Sequence, residues 1–168
     1  MSGPQHSARL LLVLAAILPG GALAAHNAAG TEVLRTGSNA DCVTAKSTPV
    51  ASIPFNPFLL AELSPPVVGP AGTWRARLQT GLAGQGVAYL VAARSAGNMR
   101  LPGGVLLVDM RTAVVLQVAR FGHGETVLFN VPIPDDEDLC GQRVRVQAVI
   151  VDARGTTLTN AFDLTLGR

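Results

Sequence analysis

The stretch VLFNVPIPDDEDLCGQRVRVQAVIVDARGTTLTNAFDLTL, residues 127–166, decides the fold class. From Arg143 to Ile150, the apolar Val144, Val146, Ala148 and Ile150 alternate with Arg143, Arg145 and Gln147. A period of two is the pattern of a strand with one face in a core and one in water. Asp152 to Thr156, with Gly155 inside it, reads as a hairpin turn. The chain then returns with Leu158, Asn160, Phe162, Leu164 and Leu166 on one face. Upstream, Glu125 to Val131 reads as a strand that Pro132 and Pro134 stop. The acidic run Asp135 to Asp138 predicts one helical turn, because carboxylates at its start favour the local dipole.

The same grammar extends towards the N-terminus. Trp74, Ala76 and Leu78 face one way and Arg75, Arg77 and Gln79 the other, which predicts a half-buried strand over Thr73 to Gln79. Gly84 to Gly86 turns the chain into Val87 to Ala93. The Gly-, Asn- and Pro-containing stretch Ser95 to Gly104 reads as a loop. Val105 to Val108 and Ala113 to Ala119 suit inner strands, and Gly122-His123-Gly124 is a turn. About eight strands, with turns every 8–12 residues, predict an all-β fold: an antiparallel β-sandwich, Ig-like or jelly-roll-like.

Residues 1–24 read as a signal peptide. Arg9 precedes the apolar run Leu10 to Leu18, Pro19-Gly20-Gly21 breaks it, and Ala22 and Ala24 supply the small residues of a cleavage site. The run is well short of the ~20 apolar residues of a spanning helix, so no stable membrane insertion is expected after cleavage. The expected address is secreted or periplasmic. Residues 25–72 are expected to form an extended, Pro-rich N-terminal region packed on the body, as edge strand or polyproline-like coil. Within it, Thr31 to Arg35 suits a short strand and Arg35 to Asn39 a turn. Residues 73–168 are the sandwich body. About 145 residues after cleavage is a common size for one core.

Two cysteines in an exported chain predict a disulfide between Cys42 and Cys140, the alternative being two separate buried thiols. Neither has a nearby His or a C-x-x-C partner to make it a reactive thiolate. The formal net charge is only +2 and Lys46 is the sole lysine. That balance gives no footprint for nucleic acid, which needs clustered cations on one face.

Several segments together resemble an uncharacterised family. They are Arg35 to Asn39, Pro70 with Gly72-Thr73-Trp74, Gly104 to Asp109, Val131 to Asp135 with Leu139-Cys140-Gly141, Gln147-Ala148, and Thr159-Asn160-Ala161 with Leu166-Gly167. The family comprises small exported β-rich domains from planctomycetes and other large-genome bacteria. The resemblance implies a fold and an address but no activity, so it transfers no catalytic residue.

Each possible site also has a structural explanation. Asp135 to Asp138 offers oxygen ligands for calcium but lacks the interleaved spacing of a dedicated loop. Asn160 reads as an amide tying neighbouring backbone groups together, and Trp74 as core rather than a sugar-stacking platform. Cleavage one residue later would expose His26, which with His123 could chelate copper. Glu62 and Glu125 are candidate paired acids only in the sense that any two carboxylates are. Nucleophile-elbow, zincin, P-loop and dinucleotide-binding patterns are all missing. The expectation is therefore a non-catalytic secreted structural or interaction domain, with no cofactor and an unknown protein or cell-surface partner. The alternative is a carbohydrate-binding module using Trp74 or Tyr89, with calcium or copper binding more distant.

Overall fold

The computed structural model describes residues 42–50, 56–81 and 83–168. The expected signal peptide, His26, the strand expected over Thr31 to Arg35 and the turn after it lie outside the described residues. Ten strands follow in chain order: β1 (Lys46–Val50), β2 (Leu60–Ser64), β3 (Thr73–Gln79), β4 (Gly86–Ala93), β5 (Ala96–Leu101), β6 (Gly104–Val108), β7 (Val114–Phe121), β8 (Thr126–Pro132), β9 (Arg143–Asp152) and β10 (Gly155–Thr165). The acidic run does form a helical turn, a single 3-10 turn at Glu137–Leu139 capped by the Asp136 side chain.

The strands build three antiparallel sheets in the orders β1-β10-β9-β4-β7, β2-β3-β8 and β5-β6. The β-sandwich expected from the alternation is present, with ten strands among the described residues rather than about eight. Its main core lies between the five- and three-stranded sheets. Ala88 and Leu90 of β4, Val146, Ala148 and Ile150 of β9, and Phe162 and Leu164 of β10 meet Leu60, Trp74, Ala76, Leu78, Val127 and Phe129 of the smaller sheet. Trp74 and Phe162 join the layers directly, ring edge to ring face, with centroids 6.3 Å apart. β1 and β2, drawn from the Pro-rich region, are edge strands. Pro49 fits in β1 because an edge strand needs no donor on its outer side.

Three local readings of the sequence are corrected. Ser95 to Gly104 is not a loop, because Ala96–Leu101 forms β5 and pairs with β6 as a hairpin. β5 is largely exposed, so it carries no apolar alternation by which to recognise it. The hairpin covers the second face of the five-stranded sheet, where Leu106 and Val108 pack with Val91, Ala93 and Leu158. Its turn presses close: a Cβ on Gly103 would lie 1.7 Å from the Thr156 carbonyl oxygen, so only glycine fits.

The second correction concerns β10. Its register against β9 shifts between Leu158 and Ala161, with Leu158 opposite Val149 and Ala161 opposite Gln147. The extra residue changes the alternation, so Leu158 faces the hairpin while Phe162 and Leu164 face the main core. The five positions read as one face are therefore divided between two.

The third is Gln147. It belongs to the row of β9 that reads as wet, yet it is fully buried, because the hairpin lies over it. Its carboxamide is satisfied throughout: Oε1 accepts the Leu107 N–H at 2.8 Å, and Nε2 donates to the carbonyls of Val105 at 3.0 Å and Thr159 at 2.8 Å. Asn56 joins the same network, accepting the Val105 N–H and donating to the Val105 and Thr159 carbonyls. Two side-chain amides thus connect the hairpin to the bulged part of β10.

Cys42 and Cys140 are joined by a disulfide, with their Cα atoms 5.4 Å apart. Beside it, the last residues pair with the segment before β1: the Arg168 N–H donates to the Val43 carbonyl and the Ala45 N–H to that of Arg168. The start of β1, the start of β9 and the chain's last residues are held at one place.

Candidate functional site

Strand pairing brings distant cations together beside this disulfide. One row across the sheet runs Lys46 (β1), Thr165 (β10), Arg143 (β9); the next runs Thr48, Asp163, Arg145 and Ala93, with Arg94 following at the end of β4. The polar members of these rows and Arg94, with Ala96, Val144 and Leu164, line a groove of about 450 Å³. Alternation places Arg143, Arg145 and Asp163 on the face of the sheet opposite Val144 and Leu164, which pack towards the main core.

The cations are held in different ways. Arg145 makes a two-pronged ion pair with Asp163, Nε to Oδ1 at 2.6 Å and Nη2 to Oδ2 at 2.7 Å, and its Nη1 reaches the Leu107 carbonyl at 3.5 Å. The Asp163 hydrogen bonds outweigh partial burial and raise the Arg145 guanidinium above its ordinary value. Arg145 is therefore a fixed, permanent charge. Lys46, Arg94 and Arg143 have no acidic partner among the described residues. The groove thus carries four cations and one carboxylate, with Lys46, Arg143, Arg145 and Asp163 on paired strands and Arg94 in the bend between β4 and β5.

A second depression, of about 580 Å³, crosses the outer face of the small sheet between Leu63, Ala71, Thr73, Arg75, Leu128, Phe129 and Asn130. It is larger, but Arg75 is its only ionisable group. The basic groove holds the denser set of ionisable groups.

The residues singled out from the sequence are dispersed. Trp74 is buried in the main core and its Nε1 donates to Glu62 Oε1 at 3.1 Å. Glu62 Oε2 accepts the Ser47 hydroxyl, so this carboxylate links β2, β3 and β1. Glu125 instead closes a turn, accepting the Gly122 N–H at 2.6 Å, while its own carbonyl accepts the Thr80 hydroxyl. The two glutamates therefore serve separate structural tasks. His123 sits in that exposed turn, and Tyr89 is half-buried in β4. Asn160 ties backbone groups together as expected: Oδ1 accepts the Leu60 N–H at 2.7 Å and Nδ2 donates to the Leu60 carbonyl at 3.0 Å.

The acidic turn is committed as well. Asp136 Oδ1 accepts the Asp138 N–H, and Arg168 lies 3.8 Å from Asp135 and 3.3 Å from Glu137. Among the described residues no three His, Cys, Asp or Glu side chains form a metal-holding group. Two aspartates elsewhere are held below the ordinary carboxylate range by turn hydrogen bonds. Asp109 accepts the Arg111 N–H and the Ser95 hydroxyl; Asp152 accepts the Arg154 N–H, the Arg154 guanidinium and the Gly84 N–H. Both stabilise connections between strands and stand outside the groove.

The groove itself was missed by sequence reasoning. Arg143 and Arg145 read only as the wet face of a strand, and Lys46 and Arg94 carry no motif. Their common signal is strand register, which a single sequence does not display. No family model, curated protein or solved structure matches the chain.

Proposed function

We propose that the protein is an exported, non-catalytic interaction domain that holds an anionic partner in the groove between β1, β10, β9 and the start of the hairpin. The observation that carries this reading is the set of three cations, Lys46, Arg94 and Arg143, that have no acidic partner among the described residues and are arranged around the fixed Arg145–Asp163 pair. Like charges repel, and a cluster of them costs stability unless something offsets it. A bound anion would offset it here. The leader-like segment at 1–24 and the disulfide support an oxidising, exported setting.

Carbohydrate binding by stacking on Trp74 is disfavoured, because that ring lies inside the core. Tyr89 is half-buried and lines neither depression.

The test uses the mature protein immobilised against the envelope fraction of its own cells. A partner captured by the wild type, released by salt and lost with a Lys46→Ala/Arg94→Ala/Arg143→Ala variant would support the reading. Equal capture by that variant, with its circular dichroism unchanged, would refute it.

A further inference from the structure

Resting on that reading of the groove, we infer that its ligand is an extended acidic polysaccharide, a polymer bearing carboxylates or sulfates together with free hydroxyls. The first reason is the layout of the charges. Lys46 and Arg143 belong to β1 and β9 and Arg94 directly follows β4, so the cations span three inter-strand spacings, about 14 Å. A track of that width suits a chain with repeated charges better than one small anion.

The second reason is what lies between the cations. Thr165 stands between Lys46 and Arg143, and Asp163 between Thr48 and Arg145. Hydroxyls both donate and accept, whereas the half-exposed Asp163 carboxylate only accepts. A densely charged polyphosphate or nucleic acid backbone would bring further negative charge against Asp163. A glycan brings hydroxyl donors for Asp163 and the threonines as well as anions for the cations. No aromatic side chain lines the groove, so it offers no stacking surface for nucleic acid bases. The mixture of cations, hydroxyls and one acceptor matches an acidic sugar polymer in both kinds of group.

Titration calorimetry on the mature, disulfide-bonded protein tests this with polygalacturonate, chondroitin sulfate, neutral dextran and long-chain polyphosphate. Binding of polygalacturonate or chondroitin sulfate in preference to polyphosphate, without binding of dextran, is the expected result. The first two probes separate carboxylate from sulfate recognition. A Lys46→Ala/Arg143→Ala variant should bind the glycan about tenfold more weakly, a loss near 1.4 kcal/mol. Asp163→Asn should lower the ratio of glycan to polyphosphate affinity, a change of preference that simple loosening of Arg145 would not produce. Polyphosphate binding as tightly as the glycans would overturn the polysaccharide inference while leaving the anionic-partner reading in place. Failure of every polyanion to bind would overturn both.

Discussion

Gln147 Oε1 accepts the backbone N–H of Leu107 at 2.8 Å inside the protein, so a side-chain amide takes the place of a neighbouring strand's carbonyl. β6 is thereby fastened to the five-stranded sheet by polar geometry as well as by apolar contact. Replacing Gln147 by Leu keeps the volume roughly similar but leaves the Leu107 N–H without its partner. A buried donor stranded in this way costs about 1–3 kcal/mol. Urea denaturation should show that loss, and amide exchange should quicken first in β6.

The disulfide closes a loop across 98 residues of sequence separation. Its removal by a Cys42→Ser/Cys140→Ser change should cost about 2–5 kcal/mol. Thermal melts of the oxidised and variant proteins measure the difference. Because Lys46 and Arg143 follow closely after the two cysteines, polyanion affinity should fall in the same variant.

Trp74 is the only tryptophan, which makes its emission a local reporter for β3. The folded protein should emit at short wavelength and shift to the red on unfolding. Phe162 loses its ring partner in a Trp74→Ala variant, and Glu62 loses a donor. The cavity should cost about 3–5 kcal/mol, read as a lower denaturation midpoint.

Asp152 gives a pH signature. Its folded-state value is depressed, first by the Arg154 backbone N–H and then by the Arg154 guanidinium, with the Gly84 N–H adding to them. The ionised form is therefore favoured by folding. Its contribution is fully present above the unfolded-chain value of about 3.9 and is lost as pH falls through the lower folded value. Asp152→Asn should melt below the wild type at pH 7, and the two curves should converge as pH falls below the folded-state value.

The strands built on strict alternation were legible from the residues alone. Trp74, Ala76 and Leu78 are buried between exposed Arg75, Arg77 and Gln79, as the period of two requires. Cys42 and Cys140 pair as expected. What escaped depends on tertiary layers. The polar row of β9 runs from the open groove at Arg143 and Arg145 to the covered interior at Gln147, and only the position of the hairpin distinguishes them. β5 lacks an apolar face because it lies at the rim of the hairpin sheet. The groove is a product of register among β1, β10, β9 and the end of β4, which bring residues as far apart in the chain as Lys46 and Thr165 to one place.

The bulge in β10 also bears on the fidelity of assembly. A uniform strand can slide against its neighbour by two residues and still present apolar groups to the same side. β10 cannot, because its parity changes between Leu158 and Ala161 and each half is matched to a different layer. A slipped pairing would set Thr159 and Asn160 against the wrong partners and strand the amide groups that meet them. The irregularity thus acts as an index mark, admitting one alignment of the longest strand and penalising the mispaired states from which strand exchange and aggregation begin.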